Sequence, residues 1–392
     1  MIDNIDKKRL VTGHLERMCQ VLELSETQYA TAEKRYGAVG EWLATSDDFI
    51  LRSAQIYPQG SISLGTSVKP IKGNEYDVDL VCYVPFLSYA APPKNLKKLI
   101  GDRLRFNGMY EDILEEKPRC WRINYANEFH LDITPSINNP DCAKGGELVP
   151  DKIRDEWKPS NPKGYKSLFE SRAELQPQMR LMKAENRAFS ASVEPFPEQE
   201  AQFKGILRRC VQILKRHRDE HFKESLIEYS PISVILTTLA SQSYIYSIKN
   251  NVYDTEYDVL ADVIRHMPRF IDKSNGPGGI HYSIMNETTT GENFAEKWNS
   301  DPHLPTAFYG WQQKVLFDVE NLPTLLGLDT LRKSMNACFG ESAVGKTFEM
   351  DIAEKNLART SRLLSVAPSV GLTVKKASDH GFSIPANTFY GR

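Results

Sequence analysis

Along this chain the hydrophobic residues change period, and that change limits the possible folds more than any other feature. Between residues 56 and 141 the apolar positions come in short alternating runs broken by turns: Leu80-Val-Cys-Tyr-Val84, Trp121-Arg-Ile-Asn-Tyr125 and His130-Leu-Asp-Ile-Thr134. Such alternation marks half-buried strands, and a helix is expected over 94–106. Beyond residue 201 the spacing becomes helical, over 202–222, 231–247, 256–268, 322–337 and 350–364. Residues 8–45 also read as helical, with Ser25 and Gln28 spaced as a capping box ahead of Tyr29, Tyr36, Val39 and Leu43. The polar stretch 171–200, ending in Glu194-Pro-Phe-Pro-Glu198, reads as a crossing between lobes. The expected fold is α+β, a sheet half followed by a helical half. Its expected domains are 1–200 and 201–368, with a loosely ordered tail over 369–392.

Composition removes several function classes. The 392 residues carry 49 Lys+Arg against 51 Asp+Glu, a net charge of −2, which speaks against a protein that coats nucleic acid through many phosphate contacts. A local basic pocket for a small phosphorylated ligand remains compatible with that balance. No stretch approaches the roughly eighteen apolar residues of a membrane span, and Met1-Ile-Asp-Asn-Ile-Asp-Lys-Lys8 lacks the apolar core of a signal peptide. Six scattered cysteines form no C-x-x-C pair, so free thiols and a cytoplasmic location are expected.

The run Gln59-Gly60-Ser61-Ile-Ser-Leu-Gly65-Thr66, followed by Glu75-Tyr-Asp77-Val-Asp79-Leu, carries the chemistry. Side chains alternate along a strand, so Asp77 and Asp79 share one face while Val78, Leu80, Cys82 and Val84 take the other. Paired carboxylates on a half-buried strand repel each other, and a hard divalent cation such as Mg²⁺ or Mn²⁺ is the simplest compensation. A solvated edge strand could also carry two aspartates. Two further features favour the cation. Gly60-Ser61 offers close backbone approach and donors for phosphate oxygens. Asp132, alternating with Leu131 and Ile133, would bring a third carboxylate if its strand lies beside the first. Three converging carboxylates suit two metal ions and in-line phosphoryl transfer.

These residues resemble a known family. Gly-Ser, a short helix, an Asp-x-Asp pair and a third Asp on a later strand mark polymerase-β-type nucleotidyltransferases. The finer pattern Gly60-Ser61-x-x-x-Gly65-Thr66, Glu75-Tyr-Asp77-Val-Asp79 and His130-Leu-Asp132-Ile-Thr-Pro135 is similar to the cGAS/DncV-like nucleotidyltransferases, bacterial synthases of cyclic oligonucleotide messengers in anti-phage defence. Leu207-Arg-Arg-Cys-Val-Gln-Ile-Leu-Lys215 resembles the family's triphosphate-binding helix, and Ser230-Pro-Ile-Ser233 the start of the next. His217 departs from the Trp often found there. The resemblance implies a polymerase-β-like palm, a C-terminal helical lobe and an active site in the cleft between them. It further implies Asp77, Asp79 and Asp132 as catalytic metal ligands for two Mg²⁺ or Mn²⁺ ions. Gln59, Gly60, Ser61, Lys215 and Ser233 would hold the triphosphate. ATP and GTP are the expected substrates, a cyclic di- or trinucleotide of cGAMP-like, purine-containing type the expected product, and a separate effector its receiver. Regulatory protein partners belong to the same expectation, whereas a membrane or an extended nucleic acid does not. A linear oligonucleotide synthase or an RNA- or protein-modifying transferase would keep the same site. A non-catalytic nucleotide sensor would have no need of three unpaired carboxylates.

On a helical wheel Lys204, Arg208, Lys215 and Arg218 fall on one side, with Phe203, Ile206, Cys210, Ile213 and His217 opposite and Arg209 off the basic stripe. The stripe is expected to face nucleotide phosphates, and His217 to be a core residue. A rival motif, Gly340-Glu-Ser-Ala-Val-Gly345-Lys346-Thr347, matches the Walker A pattern at every fixed position. A P-loop must follow a buried strand. Here the preceding Leu331–Phe339 stretch is helical in spacing, so a P-loop NTPase is not expected. Gly276-Pro-Gly-Gly279 reads as a loop.

Overall fold

The computed structural model describes residues 4–71, 76–126, 129–151, 155–180, 204–276 and 279–360, together with the backbone at 364–367, 371–374 and 382–383. Glu75, Phe203 and the Pro-rich run Glu194–Glu198 lie outside the described residues, as does the expected domain boundary at residue 200.

Alternating residues build a seven-stranded mixed sheet. Its strands are β1 (Gln55–Gln59), β2 (Tyr76–Val84), β3 (Leu114–Glu116), β4 (Trp121–Tyr125), β5 (Phe129–Asn138), β6 (Glu147–Asp151) and β7 (Glu156–Ser160). The order is β1-β2-β5-β4-β3, with β6 joining β5 to β7. β2 and β5 run parallel, and the other pairs are antiparallel. The helices are α1 (Asn4–Leu22), α2 (Glu26–Ala44), α3 (Phe49–Arg52), α4 (Gly60–Leu64), α5 (Pro93–Arg105), α6 (Pro162–Ala173), α7 (Ile206–Phe222), α8 (Ser233–Asn250), α9 (Glu256–His266), α10 (His303–Asn321), α11 (Leu328–Phe339) and α12 (Glu341–Thr360). α2 opens with the expected capping box: the Ser25 hydroxyl accepts from the Gln28 amide, and the Gln28 side chain returns to the Ser25 N–H.

Two hydrophobic cores result. One packs the sheet against α2, α3 and α5, through Val39, Leu43, Leu80, Ile100 and Leu131 among others. The other joins α7–α12, and it also takes in α1 (Val11, Leu15, Met18, Leu22), Leu64 of α4 and Phe169 of α6. The N-terminal helix is therefore packed with the helical half although it precedes the sheet. Among the described residues no helix is long and apolar enough to cross a membrane.

Three helical elements differ from the sequence reading. α10 carries Pro305 in its first turn and Gly310 inside, which break its sequence pattern, yet a first-turn proline has no intrahelical N–H to lose. The expected 322–337 helix is a short 3₁₀ turn at Leu322–Thr324 followed by α11, separated by Gly327 at φ +85. α12 begins at Glu341, inside the Walker-like run. Of the tail, Gly371–Val374 and Phe382–Ser383 are strands paired with Leu364–Ala367. Gly276 and Gly279 end the two strands of an exposed hairpin, Asp272–Gly276 and Gly279–Ser283.

Candidate active site

Strand register lines up four polar residues across the sheet. Gln59 of β1 stands opposite Asp79 of β2, Asp79 opposite Asp132 of β5, and Asp132 opposite Arg122 of β4. Directly paired residues project to the same face, as do i and i+2 on one strand, so Asp77 joins the row. The other face is apolar: Val78, Leu80, Cys82, Val84, Leu131 and Ile133 are all buried. The two aspartates of β2 and the third on β5 thus share one polar face beside a dry one.

Each carboxylate has its own surroundings. The Asp77 side chain is 60% exposed, with Oδ1 lying 3.3 Å from Arg122 Nη2 and 3.4 Å from His130 Nδ1. Asp132 is only 13% exposed and accepts both arms of Arg122, Nε on Oδ1 at 2.7 Å and Nη2 on Oδ2 at 2.8 Å. Asp79 lies between them, and burial first, then the negative charges of Asp132 and Asp77, push its carboxyl up to about 7, against the opposing pull of Lys215 and Arg122. Gln59 donates from Nε2 to Thr134 Oγ1 at 3.2 Å, which ties β1 to β5 above the row.

The chain leaves β1 directly into α4, and Gly60 is the hinge. Its φ is +65, a left-handed value that side chains disfavour, and a Cβ there would run into Asp79 Oδ2. Gly60 backbone and Asp79 carboxylate are therefore in close approach because no side chain separates them. Ser61 follows, its hydroxyl accepting from Ser67 Oγ at 3.3 Å and its carbonyl from the Thr66 amide at 2.9 Å.

The helical side closes on this turn. Lys215 of α7 is buried and donates from Nζ to the Thr66 carbonyl at 3.1 Å and to Thr66 Oγ1 at 3.3 Å. Burial, aided by Arg218, lowers its ammonium to about 8, while Asp219 and Asp79 hold it up. Ser233 is the first residue of α8, and its hydroxyl accepts from Arg218 Nη1 at 3.1 Å. Arg218 also donates to the Pro231 carbonyl at 2.9 Å. Asp79, Lys215, Arg218 and Ser233 thus form one chain of interacting polar groups from sheet to helices.

The rest of the basic stripe points at protein. Arg208 donates to the Leu64 carbonyl at 3.0 Å, and Lys204 pairs with Glu23 at 2.9 Å. Arg209, off the stripe, is half-buried rather than idle: it pairs with Glu16 of α1 and, at 2.8 Å, with Glu256 of α9. A solvent-facing helix would make it a neutral control, but here it fastens three helices. His217 is a core residue as expected. Its Nδ1 accepts from Trp311 Nε1 at 3.1 Å, which leaves the proton on Nε2, facing Asp318 at 3.0 Å. The ligand atoms of His217, Asp318 and Cys338 lie within 4.8 Å of one another. A cation on Nε2 would require the proton on Nδ1, where Trp311 already donates, so the cluster reads as a core network.

The Walker-like run lacks the geometry of a phosphate cradle. α11, not a strand, precedes Gly340, and the run continues as the first two turns of α12. A Cβ at Gly340 would meet the Glu220 carboxylate, which is itself an anion at that helix start. Thr347 is buried with its hydroxyl on the Ala343 carbonyl, and Lys346 is exposed. Lys346→Ala is therefore expected to keep nucleotide turnover within a few-fold of wild type, measured as initial rates at subsaturating NTP. A loss rivalling that of the Asp77/Asp79 substitutions would revive the P-loop.

Arg122, His130 and Thr66 were not among the site residues read from sequence. Arg122 could have been found by counting back from the turn between β4 and β5, since Tyr125 pairs with Phe129 and the register then sets Arg122 against Asp132.

The chain is similar to several known proteins. Residues 10–172 match the family described as the Second Messenger Oligonucleotide or Dinucleotide Synthetase domain. A c-di-GMP synthase of Roseivirga ehrenbergii is 29% identical over 399 residues, covering 100% of both chains. A cyclic dinucleotide synthase, CdnG, of Bradyrhizobium diazoefficiens is 25% identical over 83% of this chain and 79% of its own. The structure of the Bradyrhizobium diazoefficiens enzyme CdnG in complex with GTP superposes with a TM-score of 0.68 at 21% identity, covering 89% of this chain and 100% of that one. The likeness in structure is one of fold, a nucleotidyltransferase palm with a helical lobe. Asp77, Asp79, Asp132 and the Gly60 turn all lie inside the matched residues 10–172, which are similar to the second-messenger oligonucleotide synthetases and carry the nucleotidyltransferase fold.

Proposed function

We propose that this enzyme joins two purine nucleoside triphosphates, GTP, ATP or one of each, into a cyclic dinucleotide with release of pyrophosphate. The observation that carries the reading is the row of Asp77, Asp79 and Asp132 on one sheet face, against the Gly60 turn on one side and Lys215 on the other. The names of the relatives support a cyclic dinucleotide product.

The donor set fits a hard divalent cation. All three residues offer carboxylate oxygens, and the upward shift of Asp79, caused by burial first and then by the charges of Asp132 and Asp77, marks a carboxylate whose ionised form a cation would favour. Asp77, Asp79 and Asp132 would hold Mg²⁺ or Mn²⁺, two ions in our reading, whose bound charge lowers the cost of ionising a ribose hydroxyl beside a phosphate. The chain's own groups supply the rest. Gly60 lets the backbone come close enough to donate to triphosphate oxygens, and the Ser61 N–H and hydroxyl add donors. Lys215 opposes the charge that gathers on the leaving pyrophosphate, and Ser233, oriented by Arg218, grips from the same side. The acceptor's hydroxyl oxygen forms a bond to the donor's α-phosphorus as the bond to the bridging oxygen of pyrophosphate breaks. A second round on the linear intermediate closes the ring. Positioning and charge neutralisation account for the catalysis, without a general-base histidine. The product then acts on a separate effector in anti-phage defence.

The test is incubation of the purified chain with labelled NTPs, singly and in pairs, with Mg²⁺ or Mn²⁺, followed by phosphatase and mass spectrometry. A phosphatase-resistant product with the mass of two nucleoside monophosphates less two waters is expected. A product that phosphatase degrades would make the enzyme a linear synthase.

A further inference from the structure

Arg122 is hydrogen-bonded to two members of the carboxylate row. Its two contacts within the row differ in kind. The one with Asp132 is bidentate and short, between residues that backbone pairing holds opposite each other on β4 and β5. The one with Asp77 is a single 3.3 Å arm reaching past β5 to a carboxylate that is 60% exposed and shared with His130. The first contact is built into the sheet, whereas the second can be given up by rotating one exposed side chain. The hydrogen bonds of Arg122 to the row go to Asp132 and Asp77.

We propose that Arg122 is a positioning residue with two duties: it aims Asp132 permanently, and it occupies Asp77 as a built-in counter-ion that a divalent cation must displace. The inference rests on the reading of the carboxylate row as a cation site. Arg122 then competes with the metal for Asp77, so it raises the metal concentration at which the site fills. It also keeps the empty row from carrying three uncompensated charges. A guanidinium suits both duties, because its planar fork satisfies one carboxylate bidentately and still has an N–H for the next.

Removing it should push two measurements in opposite directions. Without Arg122 a nearby positive charge no longer repels the incoming cation, which should tighten binding by roughly tenfold, the order expected for a unit charge in a partly solvated site. Asp132 meanwhile loses its aim, so kcat should fall. Arg122→Lys keeps the charge but cannot span both carboxylates, and should lie between wild type and Arg122→Gln in metal affinity. The experiment is Mn²⁺ titration of the full chain without nucleotide, read by electron paramagnetic resonance, alongside thermal melts in chelator. Wild type should bind Mn²⁺, the Asp77→Asn/Asp79→Asn protein should not, and affinity should rise in the order wild type, Arg122→Lys, Arg122→Gln. The Lys variant keeps the ordering testable if the Gln variant does not fold. Lower melting temperatures with wild-type Mn²⁺ affinity in the Arg122 variants would reduce Arg122 to sheet packing and overturn the proposal. Wild type failing to bind Mn²⁺ at these carboxylates would overturn the cation site itself, and the proposal with it.

Discussion

Replacing Asp77 and Asp79 together by Asn is expected to abolish product formation and, in chelator, to leave the fold as stable as wild type or slightly more so. The loss would follow from removing two of the three carboxylates that would hold the cation. Tolerance of the fold follows from Asp79. Its carboxyl is raised from 3.8 to about 7, so the folded state binds the proton more tightly than the unfolded one. The stability linked to it is complete below about pH 4 and is lost as pH rises through about 7. Asn carries no charge to bury, so the double variant should lack that decline. Melting temperature against pH in chelator checks the fold, and mass spectrometry of the product checks activity. Turnover persisting in a folded double variant would end the metal-site reading.

Lys215→Ala is expected to raise the apparent KM for NTP and lower kcat, leaving the choice of bases unchanged. In the proposed role the ammonium would meet a growing charge on the leaving pyrophosphate, so part of its contribution would belong to the transition state. The combined loss in kcat/KM should be about 2–4 kcal/mol, the order for one preorganised charge-stabilising donor. Because Lys215 is buried and donates to Thr66, Lys215→Met should accompany it, keeping the aliphatic bulk while removing the charge. The free enzyme's ammonium titrates near 8, so wild-type kcat/KM should decline above that pH and the Met variant should lose the decline. Ser233→Ala should act in the same direction but less, a neutral hydroxyl being the weaker partner. Lys346→Ala serves as the control, since Arg209 holds α1, α7 and α9 together. If Lys215→Ala matches that control at subsaturating NTP, the triphosphate role is wrong for this chain.

The carboxylate row was legible because strand alternation is a local property: Asp77 and Asp79 are two residues apart, and Asp132 sits in its own alternating run. What pairs beside what is not local. The parallel match of β2 with β5 sets Asp79 against Asp132, and the antiparallel match with β4 brings in Arg122, so the guanidinium went unread although its strand had been found. The wheel of α7 found the basic stripe but could not show that palm residues cover it, as Leu64 and Thr66 do. It treated Arg209 as idle because periodicity cannot see α1 and α9 arriving from elsewhere. Helix α10 was missed for a different reason. Its proline sits where a helix tolerates one, and pattern alone does not distinguish a first-turn proline from a breaker.

The partnership of α1 with the helical half has a consequence for how the enzyme is made. α1 packs against α7, α9 and α12, and its buried face includes Val11, Leu15, Met18 and Leu22. On the ribosome this stripe emerges before the sheet, and its partner α12 emerges after it. The sheet core can condense around α2 and α5 while α1 still waits, its apolar stripe open to chaperones. Completion of the helical core must wait until α12 has left the exit tunnel, whereas the sheet that carries the three aspartates is synthesised well before it.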